Sequence, residues 1–378
     1  LEKYCKREKI IEENQIGFKE DFNCINHLIT LRSIFEDAKL NKKNCFACFI
    51  DFKKAYDSID HQVIYMVLKY LGIPKRLRYS LMNTLLNNKV KVQTFYGHTK
   101  KIPIEIGLRQ GDPCSPLLFN LITTFITQKF KEKFQLNGYW MESMNCGLCL
   151  NRLFYADDLV LLSETKDKME SLLKELHKCC NELKLSINVE KSGYITNDIN
   201  YYDGTLKFSD NQYIRHCHQN VYKYLGIMFH PNIQTSTTLH QQYIENKVMD
   251  KLSKIEALNH LLPPNLLVEV LNTSIVPMVT YGAVILKYNK TWLQKIQSSI
   301  NRLVKRNIKL IRTSPDIALY TPKYAGGMGL RPLYKLVDIQ VLDSIHYILN
   351  HYIYSISFDI FKMLLMNQMA VSGGKCLI

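Results

Sequence analysis

Phe154-Tyr155-Ala156-Asp157-Asp158-Leu159-Val160-Leu161-Leu162 sets two adjacent carboxylates inside an apolar stretch, with Leu153 just ahead of it. Short apolar runs rich in aromatic and β-branched side chains read as buried strands. Two such strands interrupted by Ala-Asp-Asp predict a hairpin with both charges at its tip. Asp favours turns, so a solvated Asp-Asp turn is the bland alternative. Burying unpaired carboxylates is costly, however, and such a pair persists mainly where cations neutralise it. A third carboxylate favours the second reading: Cys45-Phe46-Ala47-Cys48-Phe49-Ile50-Asp51 is another apolar run that ends in an acid. Its pattern predicts a buried strand delivering Asp51 to a cleft.

The composition suits a polyanionic partner. The chain has 378 residues, 47% of them hydrophobic, enough for two or three domains. Its 49 Lys and Arg against 34 Asp and Glu give a formal charge of +15, which favours nucleic acid over a merely solvated basic surface. Eleven Cys without a regular framework suit a reducing compartment. The opening Leu1-Glu2-Lys3-Tyr4-Cys5-Lys6-Arg7 is not a secretory leader, and starting on Leu leads us to expect part of a longer reading frame. Leu266 to Leu286 is apolar but interrupted by Glu269, Asn272, Pro277 and Gly282, which predicts a buried helix and turn. The terminal Cys376-Leu377-Ile378 is one residue short of a prenylation box. The expectation is a soluble intracellular protein of the nucleus, the cytoplasm or both.

Periodicity orders the rest. Residues 1–44 read as helical, with Gln15-Ile16-Gly17-Phe18-Lys19 as an interrupting turn. Phe52 to Ser58 reads as the opening of a helix running to Leu71, stopped by Gly72-Ile73-Pro74. A helix from Pro74 to Asn88 leads to a hairpin of Lys89–Thr94 and Lys101–Ile106 across Tyr96-Gly97-His98. The loop Gly107 to Pro116 opens an apolar helix from Leu117 to Phe130 with Ser115 as its cap. Lys166 to Leu185 is amphipathic. Strands are expected at Gly193–Ile195 and Tyr222–Met228. From about residue 231 the pattern turns helical: Ile244 to Leu262, Asn265 to Val276, Trp292 to Ile311, and a last segment after Gly326-Gly327-Met328-Gly329-Leu330.

Three carboxylates meeting at strand ends cannot all ionise without cations, because like charges raise one another's pKa. Two Mg²⁺ ions, with Mn²⁺ as a substitute, would neutralise them and supply in-line phosphoryl transfer. Asp51 and Asp157 would bridge the metals, Asp158 would support the same site, and the backbone carbonyl of Phe52 is a further candidate ligand. Phosphoryl transfer asks little more of a protein than positioning and charge neutralisation.

These residues resemble the motifs of reverse transcriptases, in the style of non-LTR (LINE-type) retrotransposons. The resemblance is carried by Tyr155-Ala156-Asp157-Asp158, by Phe49 to Asp57, and by Arg109-Gln110-Gly111-Asp112-Pro113-Cys114-Ser115-Pro116-Leu117-Leu118-Phe119-Asn120. Gln15 to Lys19, Leu185 to Ser192, Tyr224-Leu225-Gly226, Tyr281-Gly282 and Gly326 to Gly329 extend it in the same order along nearly the whole chain. It implies an α+β right-hand polymerase with an antiparallel palm sheet flanked by helices. Segments 1–44 and 70–106 would be partial fingers, 45–69 and 107–230 palm, 231–330 a helical thumb, and 331–378 a C-terminal helical extension. It implies an RNA-directed DNA polymerase that takes dNTPs, an RNA template and a DNA primer or target, within a longer polyprotein. Tyr56 would be a steric gate against the ribose 2′-hydroxyl, and Gln110 and Gly111 would border the incoming nucleotide. Lys191 would donate a proton to pyrophosphate, and Tyr224, Leu225 and Gly226 would grip the primer. The sequence departs from the family at Lys19, where Arg is usual, and at Asn23-Cys24, where Ser-Thr is usual. The resemblance leads us to expect that this piece lacks the family's upstream finger strands and its endonuclease.

One further feature stands on spacing alone. Arg302, Lys305, Arg306, Lys309 and Arg312 recur at helical intervals opposite Ile296, Ile300, Leu303 and Ile311, a basic stripe suited to phosphates. Cys45-x-x-Cys48 and Cys146-x-x-Cys149 have zinc-like spacing, but residues three apart on a strand face opposite ways, so small buried hydrophobes are expected. His216-Cys217-His218 is too sparse for a metal site. The competing functions are an RNA-dependent RNA polymerase, with Asp57 as a ribose-reading acid, an intron-encoded maturase, and a decayed or co-opted element that only binds nucleic acid.

Overall fold

A computed structural model describes residues 1–12, 15–19, 22–86, 88–134, 136–143, 146–202, 204–351, 358–360 and 362. Two compact units are present, one built on Leu1–Tyr222 and the other on Lys223–Ile353.

The first unit is organised on a four-stranded antiparallel sheet of β1 (Phe46–Ile50), β2 (Arg152–Tyr155), β3 (Asp158–Ser163) and β4 (Gly193–Thr196), in the spatial order β4-β1-β3-β2. Side chains alternate across a strand. Phe46, Cys48, Ile50, Leu159 and Leu161 therefore share one face, and they pack in a core with the helices His61–Tyr70, Ser115–Lys133 and Lys166–Glu182. Each fully buried Leu, Ile or Phe there contributes about 1.5–3 kcal/mol. Ala47, Phe49, Val160 and Leu162 lie on the opposite face. As expected, Cys45 and Cys48 are buried free thiols, and burial raises both pKa values.

Tertiary contacts override local propensity at several points. The helix expected from Phe52 begins only at His61, where the Asp60 carboxylate accepts from Gln62 N at 2.7 Å. Residues ahead of it are held in turns because Phe52 pairs with Ile187, Lys53 N donates to Ser186 O, and Gly107 N and Leu108 N donate to Ile59 O and Tyr56 O. Ser115 is not the cap of its helix: the Asp112 side chain accepts from Cys114 N at 2.9 Å, and Ser115 is buried as the first helical residue. Gln15-Ile16-Gly17 is more than a turn, since Gln15 forms a parallel bridge to Phe154. The hairpin after Asn88 turns at Phe95-Tyr96, with Gly97-His98 inside its return strand. A short hairpin, Thr205–Lys207 with Tyr213–Arg215, has no signature in the apolar pattern.

The expected strand Tyr222–Met228 is instead a hairpin of Tyr222–Tyr224 and Ile227–Phe229. Leu225 (φ 43°) and Gly226 (φ 85°) form its two-residue turn, and both take the positive φ that a type I′ turn demands. The second unit is helical: Ile233–Ala257, Pro264–Val270, Lys290–Asn307 and Leu333–His351 enclose a core that includes Val248, Leu271, Ile296, Ile300 and Leu333. The stretch Pro264–Val284 is long and apolar enough to cross a membrane by length and composition, and half of its most apolar window is buried within the protein. A wide π-turn, Leu271–Ile275, lies just ahead of Pro277, whose ring would crowd the carbonyl four residues back in a regular helix.

Candidate active site

The β1–β3 register pairs Ile50 with Leu159, so one further step sets Asp51 opposite Asp158. In the β2–β3 hairpin Tyr155 pairs with Asp158, leaving Ala156 and Asp157 as a two-residue turn. Alternation puts Asp51 and Asp158 on the face of Phe49 and Val160, away from the helices. Asp51 is half-buried, while Asp157 and Asp158 reach solvent. Desolvation of the carboxyl, and then the charges of Asp157 and Asp51, push Asp158 up to about 6. Asp158 thus feels the charge of both other acids.

Among the described residues, no group of three or more His, Cys, Asp or Glu is drawn together closely enough to hold a metal ion. The acids form an open, oxygen-rich edge. That donor set fits a hard cation of the Mg²⁺ type, which commonly takes one or two carboxylates and completes its shell with water and substrate phosphates.

A hydrogen-bonded turn fixes Asp51. Its N–H donates to Ser192 Oγ at 3.0 Å, that hydroxyl donates to Asn188 O at 2.8 Å, and Asn188 N donates to Asp51 O at 2.7 Å. Lys191 belongs to this turn and its side chain is exposed. Its carbonyl accepts from Tyr222 Oη at 3.1 Å. Tyr222 stacks flat on Phe49, 4.2 Å between ring centroids, and burial with the nearby Asp51 and Asp158 raises its pKa. Gly193, paired with Phe49, keeps this face clear, because a Cβ there would lie 2.5 Å from Cys217 Sγ.

The Ala156-Asp157 turn is held from below. Ala156 has φ 53°, a left-handed conformation that a non-glycine residue keeps only when its surroundings hold it. The wholly buried Gln15 supplies the hold: its Oε1 accepts from Ala156 N at 3.3 Å and Gly17 N at 3.0 Å. Its Nε2 donates to Thr123 Oγ1 at 2.8 Å and to Ala156 O at 3.4 Å. Asn120 Nδ2 donates to Gly17 O at 2.7 Å. Neither Gln15 nor Tyr222 was singled out by sequence as a site residue. Gln15 opens the Gln15-Ile16-Gly17-Phe18-Lys19 motif, whereas alternation alone gives Tyr222 no role.

Tyr56 stacks on Phe119, 4.5 Å between centroids. Its hydroxyl is buried with no hydrogen-bond partner, and burial followed by the Asp157 charge raises its pKa. An orphaned hydroxyl beside an acid suits a group supplied by substrate. The structure also brings Phe52 to this region, as a buried residue bridging Ile187. Gln110 and Gly111 are exposed on the loop that Leu108 ties to Tyr56 O.

The remaining predicted residues lie in the second unit. Tyr224 is buried, Leu225 O accepts from Tyr281 Oη at 2.8 Å, and a Cβ on Gly226 would meet the Tyr281 ring at 3.3 Å. The basic stripe needs correction. The helix ends at Asn307, so Lys309 (φ 57°) and Arg312 lie beyond it, although both stay exposed. Lys305 turns inward: its Nζ donates to Arg312 O at 3.1 Å and Ser314 O at 2.5 Å and pairs with Asp316 at 2.6 Å. Arg306 pairs with Glu256, and Arg302 is exposed. Lys305 is a structural cation that satisfies the chain after the helix. Lys305→Ala should lower stability by about 1.5–3 kcal/mol, the scale of hydrogen bonds to charged groups. It should leave the salt dependence of RNA binding unchanged, whereas Arg302→Ala should flatten it; melting curves and a salt titration of binding check both.

The Asp158 shift predicts a pH dependence. The folded chain holds this proton up to about pH 6, while the unfolded chain releases it near the ordinary value of about 3.9. Between those values the unfolded state binds fewer protons, so the fold loses stability as pH rises, and the loss persists above pH 6. With a chelator present, Asp158→Asn should therefore melt with the parent at low pH and above it at neutral pH. A neutral-pH melting temperature below the parent's would refute this.

An antiparallel sheet backed by helices on one face, with aspartates gathered at its strand ends on the other, is the palm of a right-hand polymerase. Residues 1–229 match the family model described as "Reverse transcriptase (RNA-dependent DNA polymerase)", and the chain belongs to that family. The family works with divalent metal ions. The chain is 24% identical over 308 residues to the Pol polyprotein of the type-1 retrotransposable element R2 of Nasonia vitripennis, covering 79% of this chain and 28% of that protein. It is 22% identical over 334 residues to the type-2 R2DM polyprotein of Drosophila melanogaster, covering 85% and 30% respectively. A telomerase of Candida albicans, solved with a TWJ fragment of telomeric RNA, superposes with a TM-score of 0.45 at 10% identity, covering 98% of this chain and 53% of that one. The chain therefore spans less than a third of these two curated relatives.

Proposed function

We propose that this chain is the polymerising core of a non-LTR retroelement protein, extending a primer 3′-hydroxyl with dNTPs on an RNA template. The observation that carries the reading is the meeting of Asp51, Asp157 and Asp158 at one sheet edge, with the orphaned Tyr56 hydroxyl beside Asp157. Two bound Mg²⁺ ions would supply charge neutralisation and an acidified primer hydroxyl. Asp51, Asp157 and Asp158, with the Phe52 carbonyl, would hold them. Tyr56, fixed on Phe119, presents a rigid ring that excludes a 2′-hydroxyl. Gln110 and Gly111 border the nucleotide, and Lys191 is the proton donor to pyrophosphate. The segments 1–44 and 70–106 act as fingers, 45–69 and 107–230 as palm, and 231–330 as thumb, with Tyr224 to Gly226 seating the primer. The remainder of a longer polyprotein supplies target selection, and the protein works inside the cell, in nucleus or cytoplasm.

Primer extension on an RNA template tests this. The chain should incorporate dNTPs with Mg²⁺ and discriminate against rNTPs, and Tyr56→Ala should erode that discrimination. Extension with rNTPs alone would replace the reading with an RNA polymerase.

A further inference from the structure

The ribbon between Lys89 and Pro103 is solvated on both faces. It pairs Lys89 with Pro103 and Val90 with Ile102, then Gln93 with His98 and Thr94 with Gly97. The register changes by one residue between these two sets, so Lys100 and Lys101 together oppose Lys91. Such a bulge leaves both of its residues on one side of the ribbon. Alternation then sorts the side chains completely. Lys89, Lys91, Lys100 and Lys101 share one face, and Val90, Val92 and Ile102 the other. No Asp or Glu occurs between Asn88 and Ile104. Among the described residues, none of the ion pairs involves these four lysines.

Two features of the ribbon work against folding. Like charges directly opposed destabilise a strand pair, and an isolated two-stranded ribbon is marginal in water. The tip adds a third oddity. Phe95 and Tyr96 form the two-residue turn, with relative exposures of 98% and 97% and rings 5.6 Å apart edge to face. Tight hairpins favour Asn-Gly or Gly-containing turns, so two large rings here serve no turn chemistry. The Thr94 hydroxyl braces the turn by donating to Gly97 O at 2.8 Å. A partner that neutralises the lysine face and covers the rings would relieve all three.

We propose that this ribbon is a docking surface for single-stranded nucleic acid, with phosphates along the lysine face and an unpaired base stacked on Phe95 or Tyr96. Stacking on exposed rings with phosphates tracked by cations is how single strands are held without reading sequence. The inference rests on the proposed function only for the presence of a nucleic-acid template. Its test reads binding, so a chain that binds RNA but extends no primer would sink the polymerase reading and leave this one standing.

The purified chain is titrated into a short unstructured fluorescent RNA and, separately, into a blunt duplex of the same sequence. Phe95→Ala/Tyr96→Ala should weaken single-strand binding by about 5- to 150-fold, the range for losing one stacked base, and leave duplex binding within error. Lys91→Ala/Lys100→Ala/Lys101→Ala should reduce the log–log salt slope of single-strand binding by about 2. The ring variant should keep the parent's melting temperature, because both rings are exposed, and the lysine variant should melt at or slightly above it, because opposed like charges are removed. Single-strand affinity unchanged by the ring variant, or equal losses for single strand and duplex, would overturn the proposal. So would a ring variant that converts a dimer to a monomer with RNA binding intact, because the tip would then be a contact between copies.

Discussion

If the proposed function holds, Asp157→Ala should abolish dNTP incorporation, lowering the single-turnover rate by at least about 10³-fold, while RNA binding should stay close to the parent's. Metal-assisted phosphoryl transfer draws several kcal/mol of charge stabilisation from its acids, and each 1.36 kcal/mol is tenfold in rate. Asp157 sits at the tip of the hairpin, exposed, so its loss opens no cavity. It also removes one of the charges that raise the Asp158 pKa. The variant should therefore fold at least as stably as the parent in metal-free buffer, which separates a chemical defect from a structural one. Equal, near-zero rates in parent and variant would instead favour a protein that only binds nucleic acid.

Gln15→Ala and Gly17→Ala are expected to damage the same site from beneath. Alanine at Gln15 leaves the Ala156 and Gly17 amides buried without their acceptor, at about 1–3 kcal/mol for each unsatisfied group. Alanine at Gly17 places its Cβ 2.3 Å from Ala156 N, a backbone atom that can yield only if the turn moves. A misplacement of about 1 Å can cost roughly 10²-fold in rate. Both variants should thus lose about 10- to 100-fold in turnover, with dNTP KM little changed. Thr123→Val, which removes one partner of the Gln15 amide, should fall between them and the parent. Turnover that tracks only the fraction folded at each temperature would reduce Gln15 to a structural residue.

The strands carrying Asp51 and the Asp157-Asp158 pair were legible because their apolar runs are continuous on both faces, and so was the amphipathic helix Lys166–Glu182. The delayed start of the helix at His61 was not legible, because Phe52 to Ile59 is held by partners at Ile187, Ser186 and Gly107 that no local window contains. Lys305 misled for a related reason. Helical spacing gave it a solvent face, but the chain beyond Asn307 turns back to supply carbonyls and Asp316. The Gln15 clamp was hidden because a buried amide has no periodicity; only its four partners give it meaning.

That clamp also bears on the order in which the molecule can be made. Gln15 and Ala156 lie 141 residues apart, and Asp51 is braced by Ser192 across the same separation. A chain emerging from the ribosome can present Gln15 and Asp51 long before their partners exist. Closing such long loops must precede any contact that rewards them. The edge that carries the three acids should therefore be among the last parts of this unit to mature during synthesis, and a nascent chain released before Ser192 would carry all three acids without the brace on Asp51.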